Sequence, residues 1–81
     1  MITIHKFPVI VGQNTIELPH NAKIVDFREK HGELFIWVLL DTSADKEPRE
    51  LDVIKSGQQV NGRYLHTAHG ANRNTLHLIE L

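Results

Sequence analysis

The chain has 81 residues, no cysteine, and nine basic against ten acidic residues, which gives a net charge of -1. This length allows one core and therefore a single domain over residues 1–81. The absence of cysteine excludes disulfides, thiolate chemistry and cysteine-based zinc sites, and the balanced charge provides no surplus for non-specific binding to nucleic acid or to an anionic membrane.

The apolar segments are short. The longest apolar run, from Leu34 to Leu40, is far below the ~20 residues that a membrane-spanning helix needs. Residues Met1 to Val11 are interrupted by His5, Lys6 and Pro8 and do not have the pattern of a signal peptide. We therefore expect a soluble protein without membrane contact, located in the cytoplasm.

The N-terminal quarter predicts two strands. Residues Ile2 to Val11 contain many β-branched side chains, and Pro8 cannot donate a ladder hydrogen bond, so this segment predicts an edge strand. Residues 12–14 have turn chemistry, and Thr15 to Leu18 alternate polar and apolar side chains. A short second strand is expected there.

The next two segments predict a hairpin. Ala22 to Lys30 has one apolar and one charged side, whereas Glu33 to Asp41 is apolar on both faces, as expected of a central strand. Between them, Gly32 supplies the positive φ of a tight primed turn, and His31 tolerates the left-handed conformation better than a branched residue would.

The rest of the chain predicts a long loop and three more strands. Asp41 to Pro48 contains no large apolar side chain and is expected to be the longest exposed loop. Glu50 to Ile54 and Arg63 to Ala68 predict the fifth and sixth strands. His69 to Asn74 reads as a loop, and Thr75 to Leu81 predicts the last strand.

Short strands at regular spacing, with no sustained 3.6-residue periodicity, predict an all-β fold. The expected architecture is a single small antiparallel β-sandwich or partly open barrel of six to seven strands. The predicted core consists of Ile4, Phe7, Ile16, Leu18, Ile24, Phe27, Phe35, Trp37, Leu39, Val53, Tyr64, Leu76 and Leu78.

Histidine is the one enriched residue type with metal-binding and catalytic chemistry, with six copies in the chain. A zinc site could combine His66 and His69 with His77 across a hairpin. However, side chains three residues apart on a strand leave opposite faces, so His66 and His69 converge only if a loop begins between them. We therefore expect scattered histidines, no functional metal and no cofactor.

Carboxylates cluster between residues 41 and 50, but they do not form a recognisable cation site. The segment has no glycine for the sharp turn of an EF-type calcium loop, and basic residues are interleaved with the acidic ones. A wet loop also lacks the cleft that raises one carboxyl pKa for glycoside cleavage. These carboxylates are Asp41, Asp45, Glu47 and Glu50.

No sequence motif indicates a catalytic nucleophile. Ser43 and Ser56 are the two serines, and neither lies in a Gly-x-Ser-x-Gly elbow. Gly57 and Gly70 are not followed by the lysine and hydroxyl residue of a phosphate-binding loop. We therefore expect that the protein is not an enzyme.

The best candidate binding surface lies between Arg63 and Asn74, where hydrogen-bond donors, two guanidinium groups and one aromatic ring collect. Such a set suits a protein-docking loop, a phosphate or a nucleotide, and it also suits a plain polar hairpin. Its members are Arg63, Tyr64, His66, Thr67, His69, Asn72, Arg73 and Asn74.

The order of short motifs resembles small phage and prophage proteins that are grouped as a domain family of unknown function. The motifs that carry the resemblance are Leu18-Pro19-His20-Asn21-Ala22, Phe35-Ile36-Trp37-Val38-Leu39-Leu40-Asp41, Lys55-Ser56-Gly57-Gln58, Tyr64-Leu65-His66-Thr67 and Thr75-Leu76-His77-Leu78-Ile79-Glu80. Thr67 and His77 fall on recurring positions of that family, so His77 joins the candidate binding residues. The resemblance implies host takeover or counter-defence, by binding of a host protein or by sequestration of a nucleotide.

The sequence therefore favours a non-enzymatic accessory protein, encoded by a phage, that acts on a host macromolecule in the bacterial cytoplasm. A host protein is the expected partner, and nucleic acid is disfavoured by the charge balance. The alternative function is a small-ligand or nucleotide-binding protein, with sites at the interface of a homo-oligomer.

Overall fold

The computed structural model describes residues 1–70 and 75–81, and this part of the chain contains seven strands and no helix. None of its segments is therefore a helix long and apolar enough to cross a membrane. The strands are β1 (Ile2–Val9), β2 (Gly12–Pro19), β3 (Lys23–Lys30), β4 (Glu33–Asp41), β5 (Lys46–Lys55), β6 (Arg63–His69) and β7 (Thr75–Glu80).

The strands form two antiparallel sheets packed as a small β-sandwich, which confirms the predicted fold class. One sheet has the order β1-β4-β3 and the other has the order β2-β5-β7-β6. The chain crosses between the sheets after β1, after β2 and after β4. Strand β1 lies at an edge and β4 in the centre, as their composition predicted.

The β3–β4 hairpin is confirmed, together with its turn. His31 and Gly32 have φ angles of 54° and 81°, and the flanking residues Lys30 and Glu33 are paired. Positive φ at both central residues defines the primed turn whose twist matches that of two antiparallel strands.

The prediction of a long loop after β4 is wrong. Residues 42–45 alone separate β4 from β5, because β5 already begins at Lys46. Residues 46–53 of β5 pair with the full length of β2, from Pro19 opposite Lys46 to Gly12 opposite Val53. The polar composition of this segment indicated a loop, yet strand pairing with β2 satisfies its backbone and leaves its charged side chains at the surface.

The predicted orientation of β4 is also wrong. The side chains of Ile36, Val38 and Leu40 are buried in the core, whereas Phe35 and Trp37 are half-buried on the other face. A strand that is apolar on both faces gives no indication of which set faces inward. Packing against the second sheet selects the even-numbered set.

The core lies between the two sheets. A bulge at Val25 in β3 places Ile24 and Phe27 on the same inner face, although they are three residues apart. Ile4 and Tyr64, which were expected in the core, are 54% and 56% exposed. The buried cluster comprises Val9, Leu18, Ala22, Ile24, Phe27, Ile36, Val38, Leu40, Leu51, Val53, Ala68, Leu76 and Leu78, with Phe7, Ile16, Leu34 and Leu65 packed against it.

The edges of the two sheets meet along one side of the sandwich. Strand β3 is one edge of the three-stranded sheet, and β6 is one edge of the four-stranded sheet. These two strands lie next to each other. The Nε2 atom of His66 lies 3.1 Å from the carbonyl oxygen of Ile24. A cleft lies at this contact between β3 and β6.

Candidate functional site

A charged cleft of about 300 Å³ lies where β3 and β6 meet. The bulge between Tyr64 and His66 in β6 brings the His66 ring towards β3 at this point. The residues that line this cleft, here called the β3–β6 cleft, are Lys23, Ile24, Arg49, Arg63, Tyr64, Leu65 and His66.

Arg49 forms the fixed part of the β3–β6 cleft. Its Nε and Nη2 atoms donate to the two carboxylate oxygens of Glu80 at 2.6 Å and 2.8 Å, and its Nη1 atom donates to the carbonyl oxygen of Ala22 at 2.5 Å. Both side chains of the ion pair are largely buried. The hydrogen bonds that Arg49 donates to Glu80 raise the pKa of Arg49 and lower the pKa of Glu80.

Arg63 adds a second guanidinium group at the rim of the β3–β6 cleft. Its Nη2 atom donates to Glu80 Oε1 at 3.1 Å, while its side chain is 73% exposed. One carboxylate therefore faces two arginines, and Lys23 is a third cation on the lining. The cleft carries a surplus of positive charge although the whole chain does not.

The outer face of the four-stranded sheet carries a chain of hydrogen bonds centred on His77. Its Nδ1 atom lies 2.9 Å from Thr67 Oγ1, and its Nε2 atom lies 2.9 Å from Ser56 Oγ. Thr67 Oγ1 in turn lies 2.8 Å from the hydroxyl oxygen of Tyr64. These contacts fix the imidazole ring, and its tautomer sets the direction in which the protons point.

The hydrogen-bonded pair of Ser56 and His77 resembles half of a nucleophilic triad, but its surroundings do not support that chemistry. A hydroxyl group, Thr67 Oγ1, orients the ring where a triad uses a carboxylate. Ser56 and His77 are not among the residues that line the β3–β6 cleft. The geometry is that of a cross-strand polar ladder.

An unusually apolar surface covers the outside of the three-stranded sheet. The Phe35 and Trp37 rings meet edge to face with centroids 6.2 Å apart. Lys6 Nζ lies 4.5 Å from the Phe35 centroid, and the Arg28 guanidinium carbon lies 5.4 Å from the Trp37 centroid. We call this surface the aromatic face, and it consists of Ile4, Lys6, Arg28, Phe35, Trp37 and Leu39.

An ion pair within β3 positions the Arg28 side chain on the aromatic face. Arg28 Nε donates to Asp26 Oδ2 at 2.5 Å, and the backbone N–H of Phe27 donates to Asp26 Oδ1 at 2.8 Å. Burial acts to raise the pKa of Asp26, but the hydrogen bonds from Arg28 and Phe27 outweigh it and lower the pKa. Arg28 is therefore held beside Trp37 by a carboxylate that stays ionised.

The described candidate residues from the sequence fall on two adjoining areas that Tyr64 connects. Arg63, Tyr64 and His66 line the β3–β6 cleft, whereas Thr67 and His77 lie on the outer face of the four-stranded sheet. The Tyr64 hydroxyl contacts Thr67. His69 is exposed at the end of β6. Asn72, Arg73 and Asn74 lie outside the described residues.

The six histidines are spread over the surface. The ring of His66 points towards β3, while the ring of His77 contacts Thr67 on the outside of the sheet, so these two do not converge. Across residues 1–70 and 75–81, the structure shows no group of three histidine, aspartate or glutamate side chains that could hold a metal ion.

Sequence reasoning missed residues of both surfaces, among them three side chains of β4 and Arg49. Phe35, Trp37 and Leu39 were assigned to the core because they lie in the most apolar run, and only the pairing of β4 shows that they face outward. Arg49 was read as part of a loop, and no local signal indicates its contact with Glu80, which is 31 positions further along the chain.

Comparison with known proteins gives a family without a known activity. The whole chain, residues 1–81, matches a family model described as Domain of unknown function (DUF7352). No curated protein and no solved structure matches it. The chain therefore belongs to the family of this domain of unknown function, DUF7352.

Proposed function

We propose that this protein is a non-enzymatic binding module, encoded by a phage, that docks a host protein through its aromatic face. The observation that carries the proposal is the outward position of Phe35 and Trp37 on a sheet that already has a complete core on its other side. An antiparallel sheet of this kind usually presents polar side chains to water, and this sheet presents aromatic ones.

The composition of the aromatic face resembles that of protein interfaces. Aromatic residues and arginine are enriched at such interfaces, and tryptophan and arginine are frequent among the residues that contribute most to binding. Leu39 is 38% exposed and Ile4 is 54% exposed beside these rings. A depression of about 240 Å³ that includes Ile2 and Leu39 adjoins this surface and offers a place for an apolar side chain of the partner.

The charges around the aromatic face favour a protein over a nucleic acid. The outward positions of β1, β3 and β4 include both lysines and carboxylates, and Arg28 is already paired with Asp26. Nucleic-acid binding depends on a clear surplus of positive charge, whereas Asp26 and Glu33 stand beside the cations on the outside of this sheet. A protein surface with mixed charges and an apolar centre complements it better.

The proposed phage origin and host partner rest on the motif resemblance described above, which covers nearly the whole chain. That resemblance implies host takeover or counter-defence, and we take binding of a host protein as the mode that fits the aromatic face. The folding of so small a chain also leaves little enclosed volume for a reactive cleft, which supports binding as the function.

Site-specific photo-crosslinking in bacterial cells tests this proposal. A photoreactive amino acid replaces Ile4 on the aromatic face or, as the matched control, Thr15 on the exposed face of the other sheet. We expect a discrete adduct with a bacterial protein from position 4 and none from position 15. Adding Trp37→Ala to the position 4 variant should abolish that adduct, because the substitution removes the largest ring of the face.

Two results of this experiment would contradict the proposal. Identical adduct patterns from positions 4 and 15 would show that capture is non-specific. An adduct of twice the monomer mass, with no other product, would show that the face binds a second copy of the chain instead of a host protein.

A further inference from the structure

The cations that line the β3–β6 cleft outnumber the one carboxylate that is in direct contact with them. Lys23, Arg49 and Arg63 contribute three positive charges, and Glu80 contributes one negative charge, which leaves a surplus of two. The seven described residues that line the cleft include no carboxylate. This surplus is local, because the net charge of the chain is -1.

Arg49 is the donor of the cleft that is already held in place. Arg49 is fixed by two hydrogen bonds to Glu80 and one to the Ala22 carbonyl oxygen, so its remaining N–H groups keep a constant direction. Contact with Glu80 restrains Arg63 at the rim. A ligand therefore meets a site that needs little rearrangement, which reduces the entropic cost of binding.

The walls of the cleft combine these donors with apolar groups. Ile24 is buried and Leu65 is partly buried, and both line the cleft beside the cations. Charge–charge attraction is stronger next to apolar walls than in open water. The volume of about 300 Å³ exceeds that of a single tetrahedral anion and leaves room for part of the molecule that carries it.

We propose that the β3–β6 cleft binds a phosphomonoester dianion through Arg63, Lys23 and the fixed guanidinium group of Arg49. A phosphate monoester carries a charge of about -1.5 to -2 at pH 7, which matches the surplus of the cleft, whereas a carboxylate carries half of it. Its three free oxygens accept the forked hydrogen bonds that arginine donates. This site is on a different surface from the aromatic face and does not depend on the function proposed for that face.

Titration of the ¹⁵N-labelled full chain tests the proposal by amide chemical shifts. The probes are inorganic phosphate, a nucleoside monophosphate, a phosphoserine peptide and, as the uncharged control, the corresponding nucleoside. We expect saturable shifts on β3 and β6 with inorganic phosphate and none with the nucleoside. Tighter binding of the nucleotide or of the phosphopeptide then identifies the source of the phosphate.

Matched variants connect binding to the cleft. Arg63→Gln should weaken phosphate binding about tenfold, because a hydrogen bond to a charged group is lost, and Arg63→Lys should recover part of it. Lys23→Gln should also weaken it. Lys30→Gln makes the same charge change at the other end of β3 and should leave binding unchanged, because Lys30 does not line the cleft.

The proposal is overturned if inorganic phosphate and both organic monophosphates give no saturable shifts with the folded chain. It is equally overturned if Arg63→Gln and Lys30→Gln reduce the affinity to the same extent, since that result indicates diffuse attraction to the surface. Folding of each variant is checked by its amide spectrum, so a loss of binding cannot come from unfolding.

Discussion

Two arginines converge on the carboxylate of Glu80, so the charge of this residue contributes to the stability of the fold. Its pKa lies below the ordinary value of 4.5 because Arg49 donates hydrogen bonds to it and counteracts the effect of burial. The folded chain therefore binds this proton more weakly than the unfolded chain does. The resulting stability is fully present above pH 4.5 and is lost as the pH falls through the folded-state pKa.

We predict that Glu80→Gln lowers the free energy of unfolding by about 2–3 kcal/mol at pH 7, because Arg49 loses the carboxylate that compensates its largely buried charge. Urea denaturation at pH 7 and at pH 3 measures the effect. The difference from the original chain should shrink at the lower pH. Equal stability of both proteins at pH 7 would show that the ion pair contributes nothing.

The control for this prediction removes both charges of the pair. In Arg49→Met combined with Glu80→Leu, no largely buried charge is left without a partner. We expect the double variant to be more stable than Glu80→Gln, although it also loses the hydrogen bond from Arg49 to Ala22. A double variant that is less stable than the single one would assign the effect to packing.

Ser56 offers a direct test of the prediction that the protein is not an enzyme. Its hydroxyl lies 2.9 Å from His77 Nε2, but hydroxyl groups surround the ring and no carboxylate orients it. We predict that a fluorophosphonate probe does not label Ser56 under conditions in which a serine hydrolase reacts completely. Stoichiometric labelling that His77→Ala abolishes would show that the serine is activated and that the protein has esterase-type chemistry.

At the level of elements, β4 determines which apolar side chains form the core and which form the aromatic face. Leu39 and Leu40 are neighbours on this strand with the same chemistry, and they are 38% and 5% exposed. We predict that Leu40→Ala lowers the free energy of unfolding by about 2–4 kcal/mol and Leu39→Ala by less than about 1 kcal/mol. Urea denaturation of the two variants measures the difference.

The pair of leucines is its own control, since one substitution tests the inner face and the other tests the outer face. The reverse order of the two effects would show that β4 has the orientation expected from sequence. In that case the aromatic rings would belong to the core, and the proposed docking surface would not exist.

Local chemistry explains which elements the sequence predicted. The β3–β4 turn was predictable because His31 and Gly32 are adjacent and a primed turn needs positive φ at both positions. The start of β5 was not, because its polar residues become a strand only through pairing with β2, and the partners lie more than twenty-five positions apart in every pair. Long-range pairing of this kind leaves no signal in a short window.

In the candidate site, too, residues with a local signal were predictable and residues brought in by long-range pairing were not. Arg63 and His66 were predicted as binding residues, because their side chains have suitable donors, and both line the β3–β6 cleft. Arg49 and Lys23 were not, because β5 and β3 reach the cleft from distant parts of the chain. The aromatic face was hidden by the apolar composition of β4, which is equally consistent with either orientation.

At the scale of the whole molecule, the two sheets share one core, and their outer faces differ from each other in chemistry. The four-stranded sheet presents hydroxyl groups and histidine, and the three-stranded sheet presents aromatic rings with cations. In the proposed function, only the outer side of the three-stranded sheet contacts the host protein. Because the core is small, the free energy of unfolding is expected to be low, and a partner that binds the folded chain would raise it.

The position of Pro8 on the outer strand of the smaller sheet has a further consequence for solubility at high concentration. Strand β1 is an open edge with β-branched residues, the kind of template that recruits further strands into fibres. Pro8 offers no N–H to an incoming strand, and the neighbouring Lys6 repels a second copy. Pro8→Val should therefore shorten the lag before thioflavin-positive fibrils form, while the original chain stays dispersed.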